Sequence, residues 1–425
     1  MRGRSSAYPT IRYIYLLNVL RTGEVCNVSE VPGATAPFSA RRINARTVRD
    51  LLWTADQPSL SAGELMKRTG LSRATVLAVC DDLVGLGWAE EVPAEPGQGG
   101  RPPRLFRFRA DARYVVGVDI GDHSIRSAVA DLCGTIVGRA QRPAGFGEHQ
   151  RVERDAAVRS VIHDSLAAGQ VTAEQVLVVS IGLAAPVSRS GRTPGQSTSS
   201  YWTRMSLDPA LDLGGHPGWI VTIGNDANLA ARAVGAHGEA DPQGSYVVLL
   251  AGERFGAGIV ADGRLVTGRD GAAGDMHFLP LLEGVEFREG LAAAARRMVE
   301  TSGQDSAATL FQHARTGAPD ARVIVEQLGD RLARVIAVLA SLLNPEHVVI
   351  GGAIAQSSDQ LLAACVERLP RYAQLLPTVT ASRLGGDIVL LGALRSARDT
   401  VVAGPLDALL GPQPTGPDRH PRAAH

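Results

Sequence analysis

The chain has 425 residues, 45% of them apolar, and a formal net charge of zero. That length fits about two or three domains at roughly 150 residues each, and the apolar share is ordinary for a globular protein with a large core. Neutrality excludes a chain that is basic throughout, so any nucleic-acid surface must be local; the four cysteines, Cys26, Cys80, Cys133 and Cys365, form no C-x-x-C pair and read as reduced thiols of a cytoplasmic protein.

Residues 1–38 read as a poorly specified extension. Its one apolar stretch, Ile11 to Leu20, falls short of the roughly 20 apolar residues that a membrane span needs. It contains Arg12 and no small-residue cleavage site follows, so it does not read as a signal peptide. From Ser39 the pattern sharpens. Val48, Leu51 and Leu52 are spaced for one face of a helix. Ser61-Ala62-Gly63-Glu64 is a capping box, in which the serine hydroxyl and the glutamate carboxylate each satisfy an open backbone N–H. Gly70 ends that helix, and Ser72 caps a second one with Val76, Val79 and Leu83 as its buried stripe.

Two short helices around Thr69-Gly70-Leu71 read as a helix-turn-helix. In that motif the second helix enters the major groove with its N-terminal residues first. Arg73 is then placed for guanine edges or phosphate, and Leu77 and Ala78 for thymine methyls. After Gly85-Leu86-Gly87-Trp88, two strand-like pieces flank Gly97-Gln98-Gly99-Gly100-Arg101-Pro102-Pro103-Arg104, a hairpin with a basic tip that reads as a wing. Arg101 suits a narrow A·T-rich minor groove. Lys and Arg outnumber Asp and Glu between Ser39 and Ala110, with the excess in Arg41, Arg42, Arg46, Arg49 and the wing, as a phosphate-contacting footprint requires. The expected DNA-binding residues are Arg41, Arg42, Ser72, Arg73, Thr75, Leu77, Arg101 and Arg104. The plainer alternative is a small helical interaction domain.

The remainder alternates strands and helices, which indicates α/β architecture in two lobes. Tyr114 to Ile120 is a buried strand closed by Asp119-Ile120-Gly121; Arg126 to Ala130 and Thr135 to Ala140 follow as strands. An Asp-x-Gly at the first hairpin suggests the nucleotide-binding half of an actin-like ATPase, although any tight turn can use it. Val176 to Leu183 is another strand. Ile220 to Ile223 leads into Gly224-Asn225-Asp226-Ala227-Asn228 and a helix from Leu229. A carboxylate at a strand end beside a helix start suits a general base, and equally a helix cap. Between the apolar runs Tyr246 to Ala251 and Ile259 to Ala261 lies Gly252 to Gly258, a glycine turn able to wrap phosphate, except that Glu253 and Arg254 stand in its middle. Gly271 to Phe278 and Asn344-Pro345, with Gly351-Gly352 opening a helix, complete the pattern. The Pro- and Gly-rich residues from Gly411 read as disordered.

These pieces, in this order from Ser39 to about Val402, resemble the ROK family (repressor, open reading frame, kinase). The resemblance implies a winged helix-turn-helix over 39–110, followed over 111–403 by a two-lobed actin-like ATPase domain of sugar-kinase and ribonuclease H type, with a tail over 404–425. Gly70 to Val76 and Gly100 to Pro103 look like the regulator branch's DNA-reading segment and wing. Asn225 to Asn228 resembles the sugar-binding and catalytic segment, with Asp226 at the base position. Asn225, Asp226, Asp275 and His277 are the implied sugar contacts.

The departures from the kinase pattern are specific. Kinases of the family carry Asp-x-Gly-Gly-Thr-Lys at the first phosphate loop; here Asp122-His123-Ser124 follows Gly121. In the second loop, Gly-Thr-Gly-Ile-Gly-x-Gly in kinases, Glu253 replaces the threonine and Arg254 a glycine. Repulsion between Glu253 and a phosphate is worth on the order of several kcal/mol at an effective dielectric near 20, which Arg254 would partly offset. Asp119, Gly121, Glu253, Arg254, Gly256, Gly351 and Gly352 thus read as a degenerate nucleotide site. The family's zinc segment fails too: Phe278 stands at the ligand place, no cysteine lies between Cys133 and Cys365, and His277 alone cannot make a tetrahedral site.

The expectation is a transcriptional regulator of carbohydrate metabolism, acting as a repressor. It would have no enzymatic activity, cofactor, metal or membrane contact. Its partners would be a palindromic double-stranded operator, a second copy of itself in a homodimer or homotetramer, and a sugar or sugar phosphate. The alternatives are an ATP-dependent sugar kinase, and a DNA-binding protein whose C-terminal lobes only dimerise.

Overall fold

The computed structural model describes residues 36–93, 103–145, 151–193, 218–285, 287–302, 306–352 and 359–404. Arg101, the wing tip, Cys26, the stretch Ile11 to Leu20, Ala353 and the tail from Gly411 lie outside the described residues. The chain divides into two compact units: one holds the described residues up to Arg113 with Asp131–Cys133 and 399–404, the other Tyr114–Ala130 and Gly134–Arg398.

The first unit contains α1 (Ala36–Trp53), β1 (Leu60–Ser61), α2 (Ala62–Thr69), α3 (Arg73–Gly85), β2 (Ala89–Val92) and β3 (Leu105–Phe108). The strands form a small sheet in the order β1-β3-β2, with β3 antiparallel to both neighbours. Val48, Leu65, Val76, Leu83, Trp88 and Phe106 are buried as its core. Each fully buried aliphatic or aromatic side chain of this kind contributes about 1.5–3 kcal/mol over exposure.

The local reasons for the two short helices are visible atom by atom. Ser61 Oγ accepts from Glu64 N at 3.1 Å while Glu64 Oε2 accepts from Ser61 N at 2.7 Å, the reciprocal cap read from the sequence. Gly70 follows α2 with φ of 70°, the left-handed conformation that a side chain resists, and its N–H closes on Met66 O. Ser72 then caps α3, accepting from Thr75 N.

One basic residue assigned to the phosphate footprint is misplaced by that reading. Arg49 is fully buried, its guanidinium over the rings of Trp53 and Trp88 at 5.7 Å from each centroid. It donates to Asp50 Oδ1 and to Val402 O. Helical position alone does not separate an outward arginine from one clamped between two indoles.

The second unit repeats one sheet design twice. Its first lobe holds β4 (Tyr114–Ile120), β5 (Ser124–Asp131), β6 (Ile136–Pro143), α4 (Arg151–Ala168), β7 (Val176–Leu183) and β8 (Ile220–Asn225), in the sheet order β6-β5-β4-β7-β8. Then come α5 (Asp226–Ala236), β9 (Tyr246–Ala251), β10 (Phe255–Ala261), β11 (Arg264–Val266), α6 (Leu291–Ser302), α7 (Ala307–Arg315), α8 (Pro319–Leu343), β12 (His347–Gly351), α9 (Asp359–Arg368), β13 (Thr378–Ala381) and α10 (Ile388–Ala403). The second sheet runs β11-β10-β9-β12-β13, the same order of first, second and third strand with the fourth and fifth added on the other side. In both sheets the added strands are parallel. Strands covered on both faces carry unbroken apolar runs, and β7 is buried at every position.

Strand ends shift by a few residues from the sequence reading, as in Ser124–Asp131 and Ile136–Pro143, and two boundary differences bear on the cleft. The helix after β8 starts at Asp226, not Leu229, because Asn225 is already its cap: Asn225 Oδ1 accepts from Asn228 N at 3.0 Å. The glycine turn Gly252 to Gly258 is mostly strand. β10 begins at Phe255, opposite Ala251, so Gly256 and Gly258 lie in the hairpin and only Gly252, Glu253 and Arg254 turn. Position 258 requires glycine because a Cβ there would sit 2.0 Å from the Ala227 carbonyl oxygen; the bare backbone lets α5 pack directly on β10.

Candidate functional site

A cleft of about 470 Å³ opens in the second unit between the two lobes, lined by the β4–β5 turn, the β8–α5 junction, the β9–β10 turn, residues 271–277 and the start of α10. It gathers all of the sequence-expected sugar positions (Asn225, Asp226, Asp275, His277) and, of the degenerate nucleotide positions, Asp119, Gly121, Glu253, Arg254, Gly256 and Gly352. Gly351 lies buried at the end of β12.

At the floor, Asp226 sits half-buried at the first position of α5. Its Oδ1 accepts from Ala227 N at 2.8 Å and from Asn225 Nδ2 at 3.1 Å, and the same Asn225 amide reaches Ala185 O. Burial pushes the Asp226 carboxyl up to about 7, and the negative charges of Asp119 and Asp122 add to it against the Ala227 N–H. A carboxyl poised near neutrality both donates and accepts hydrogen bonds, which suits a hydroxylated ligand or a general base. Asn225 is thus cap and cleft group at once, and of the readings left open from the sequence the cap holds at Asn225.

Asp119 at the end of β4 is buried and paired with the Arg126 guanidinium. Burial raises its pKa, and Arg126 offsets only part of that. Arg126 Nη1 also reaches Asp387 at 3.2 Å, and Arg139 holds the other Asp387 oxygen at 2.6 Å. A divalent cation at Asp119 would have to displace that guanidinium, so the residues present do not fit a nucleotide-bound metal. Among the described residues no group of three or more His, Cys, Asp and Glu is placed to hold a metal ion. Cys80 and Cys365 are buried thiols, each pushed up to about 12 by desolvation.

At the β9–β10 turn, Glu253 does not point unpaired into the cleft. His123 Nε2 lies 3.0 Å from Glu253 Oε1, and Arg296 of α6 pairs with Oε2. Burial raises the Glu253 carboxyl, but Arg296 and His123 outweigh it and hold it below the usual glutamate range. The compensating cation is therefore Arg296 rather than Arg254, whose backbone bridges Glu289. Arg296 and Asp387 were missed in the sequence because they meet their partners only through the tertiary fold, Arg296 and Glu253 being 43 residues apart, and Arg126 because the pairing of β4 with β5 is what brings it to Asp119. The loop carrying Asp275 and His277 is pinned to β10 by Ala257 N donating to Gly274 O at 3.0 Å.

In the first unit, Arg73 and Ala78 are exposed on α3 while Leu77 is half-buried. Ser72 and Thr75 serve the cap, their hydroxyls 2.9 Å apart. Arg41 grips Asp82 of α3 through both carboxylate oxygens, and Arg104 binds Glu91 and Asp81. Arg42 is exposed on α1.

The chain is 22% identical over 324 residues to a xylose repressor of Caldicellulosiruptor bescii, covering 70% of this chain and 80% of that protein. A solved ROK family transcriptional regulator, a homolog of the E. coli MLC protein, superposes with a TM-score of 0.64 at 20% identity, over 87% of this chain and 98% of its own. A Streptomyces griseus ROK glucokinase solved with glucose and AMPPNP gives 0.55 at 22% identity, over 67% of this chain and 99% of its own. The family pattern itself matches residues 115–399. That match spans more than half of the 425 residues, and the chain belongs to the ROK family.

Proposed function

We propose that the protein is a sugar-responsive transcriptional repressor. Its first unit acts as a winged helix-turn-helix that reads DNA through α3, and its second unit as a retired sugar-kinase domain that senses a sugar. The observation that carries this reading is coverage. The likeness to a solved transcriptional regulator extends over 87% of the chain, where the likeness to a glucokinase of the family stops at 67%. One winged module reads a half-site, so the protein binds a palindromic operator as a dimer or larger homo-oligomer. A ligand held by Asn225, Asp226, Asp275 and His277 regulates it by binding one arrangement of the two lobes better than the other.

Selection of bound sequences from a random DNA pool tests the reading. An enriched palindrome is expected, and recovery of no common sequence overturns it. The near-neutral Asp226 carboxyl favours a second reading, an ATP-dependent sugar kinase, because a base at that position could accept a hydroxyl proton. Coupled turnover of ATP with a hexose panel separates the two, since the repressor reading expects none.

A further inference from the structure

We propose that Glu253, with His123 and Arg296, is a built-in anion that fills the phosphate end of the cleft, so that the site takes a neutral polyhydroxylated ligand and rejects a phosphorylated one. This rests on the sugar-sensing reading above and narrows its ligand class.

Three observations carry it. First, the carboxylate lies at the turn between β9 and β10, satisfied from both lobes: His123 belongs to the β4–β5 turn and Arg296 to α6. The Arg296 guanidinium and the His123 imidazole, which would recognise a phosphate at this turn, are already engaged by a fixed side chain, while of the other arginines lining the cleft Arg126 pairs with Asp119 and Arg254 and Arg288 act on Asp275. Second, the backbone donors nearby are committed. A helix N-terminus is a ready anion site because its first N–H groups lack partners. Here Ala292 N donates to Gly252 O at 3.2 Å, and Gly290 N, just before α6, to Glu253 O at 2.8 Å. On the other lobe Gly121 N donates to Ser124 O at 3.0 Å. Third, Asp119, Asp122, Asp226 and Asp275 also line the cleft, so a phosphate group entering it meets carboxylates as well as the filled cradle.

The test is isothermal titration of inorganic pyrophosphate into the full-length protein at low ionic strength, beside Glu253→Ala with its fold checked by circular dichroism. Removing the carboxylate frees His123 and Arg296, so the variant is expected to bind pyrophosphate roughly tenfold or more tightly than the wild type. The gain disappears in Glu253→Ala/Arg296→Gln. Equal affinity in wild type and a folded Glu253→Ala overturns the proposal. A second arm titrates the wild type with aldopentoses, aldohexoses and N-acetylhexosamines, each beside its phosphate ester. Tighter binding of a neutral sugar than of its ester supports the assignment, and tighter binding of the ester overturns it while leaving sugar sensing intact. Binding of neither form removes both the ligand class and the sugar-sensing reading, and the pyrophosphate arm still decides separately whether Glu253 blocks an anion site.

Discussion

Arg126 and Asp119 form an ion pair at the cleft wall, between neighbouring strands β5 and β4 of the first lobe. Asp119 opens the Asp-x-Gly turn that suggests a nucleotide-binding half, and here it is paired with a side chain of the same sheet. Asp387, just before α10, joins the pair through Arg126 Nη1. The pair therefore does structural work, tying a strand end to a helix start at the cleft.

Replacing Arg126 with Gln leaves Asp119 buried without its cation. Removing one partner of a buried pair costs about 3–5 kcal/mol, and the partial exposure of Arg126 lowers that to roughly 2–4 kcal/mol. Urea denaturation should show the loss at pH 7. Since the stranded Asp119 carboxyl protonates in acid, the loss should shrink as pH falls towards 4. A variant as stable as the wild type at pH 7 would remove the ion pair from the account.

Asp226 makes stability depend on pH in a defined window. Its pKa rises from about 4 in the unfolded chain to about 7 in the fold, so the native state prefers the protonated form. The contribution is fully present below about pH 4 and is lost as pH climbs to about 7. Asp226→Asn has no proton to lose. Its stability relative to wild type should therefore grow through that window and level off above it, by an amount on the order of a few kcal/mol. Denaturation curves of both proteins at pH 4, 5.5, 7 and 8 check this, and a difference that does not vary with pH would be the contrary result.

Some of this was readable from the sequence because it depends on neighbours in the chain. β4, β7 and β9 coincide with the runs Tyr114–Ile120, Val176–Leu183 and Tyr246–Ala251, since strands buried on both faces are continuous apolar words. The Ser61–Glu64 cap and the Gly70 stop were equally plain, being contacts across three or four residues. What escaped was set by distant partners. β10 starts at Phe255 because the hairpin register reaches back to Ala251. Arg49 reads as a surface cation until Trp53 and Trp88 are seen to enclose it. Glu253 was recognisable as out of place in a phosphate turn, but its actual partners come from a loop in the other lobe and from a helix of about three turns, which local spacing does not connect to it.

Two glycines hold the cleft together by their lack of a side chain. At Gly274, φ is +87° and a Cβ would lie 1.8 Å from the Ala257 carbonyl oxygen; at Gly258 it would lie 2.0 Å from that of Ala227. Backbone cannot yield as a flexible side chain does, so Gly274→Ala and Gly258→Ala should each cost about 3 kcal/mol or more. Gly63→Ala is the control, because its Cβ would meet only Ser61 Oγ at 3.8 Å. That helical exchange should be neutral or stabilising by up to about 1 kcal/mol. Guanidinium denaturation of the three variants checks the order, and a tolerated Gly274→Ala would mean that the loop carrying Asp275 is not pinned as described.

The basic residues of the first unit should separate into two groups when DNA binding is measured. Arg73 is exposed at the N-terminal end of α3, where a base-edge contact is worth about 1–3 kcal/mol. Arg41 already spends its guanidinium on Asp82, an exposed pair worth about 0–1 kcal/mol to the fold. Fluorescence anisotropy on the selected operator should therefore show Arg73→Ala weakening binding by roughly tenfold or more. Arg41→Ala should change it by about threefold or less, because the residue lost was pairing within the protein. If Arg73 instead meets phosphate, its loss should weaken all sequences alike and lower the salt dependence by about one counterion. Tight operator binding by Arg73→Ala, with Arg41→Ala the damaged protein, would move the DNA-reading surface from the start of α3 to α1.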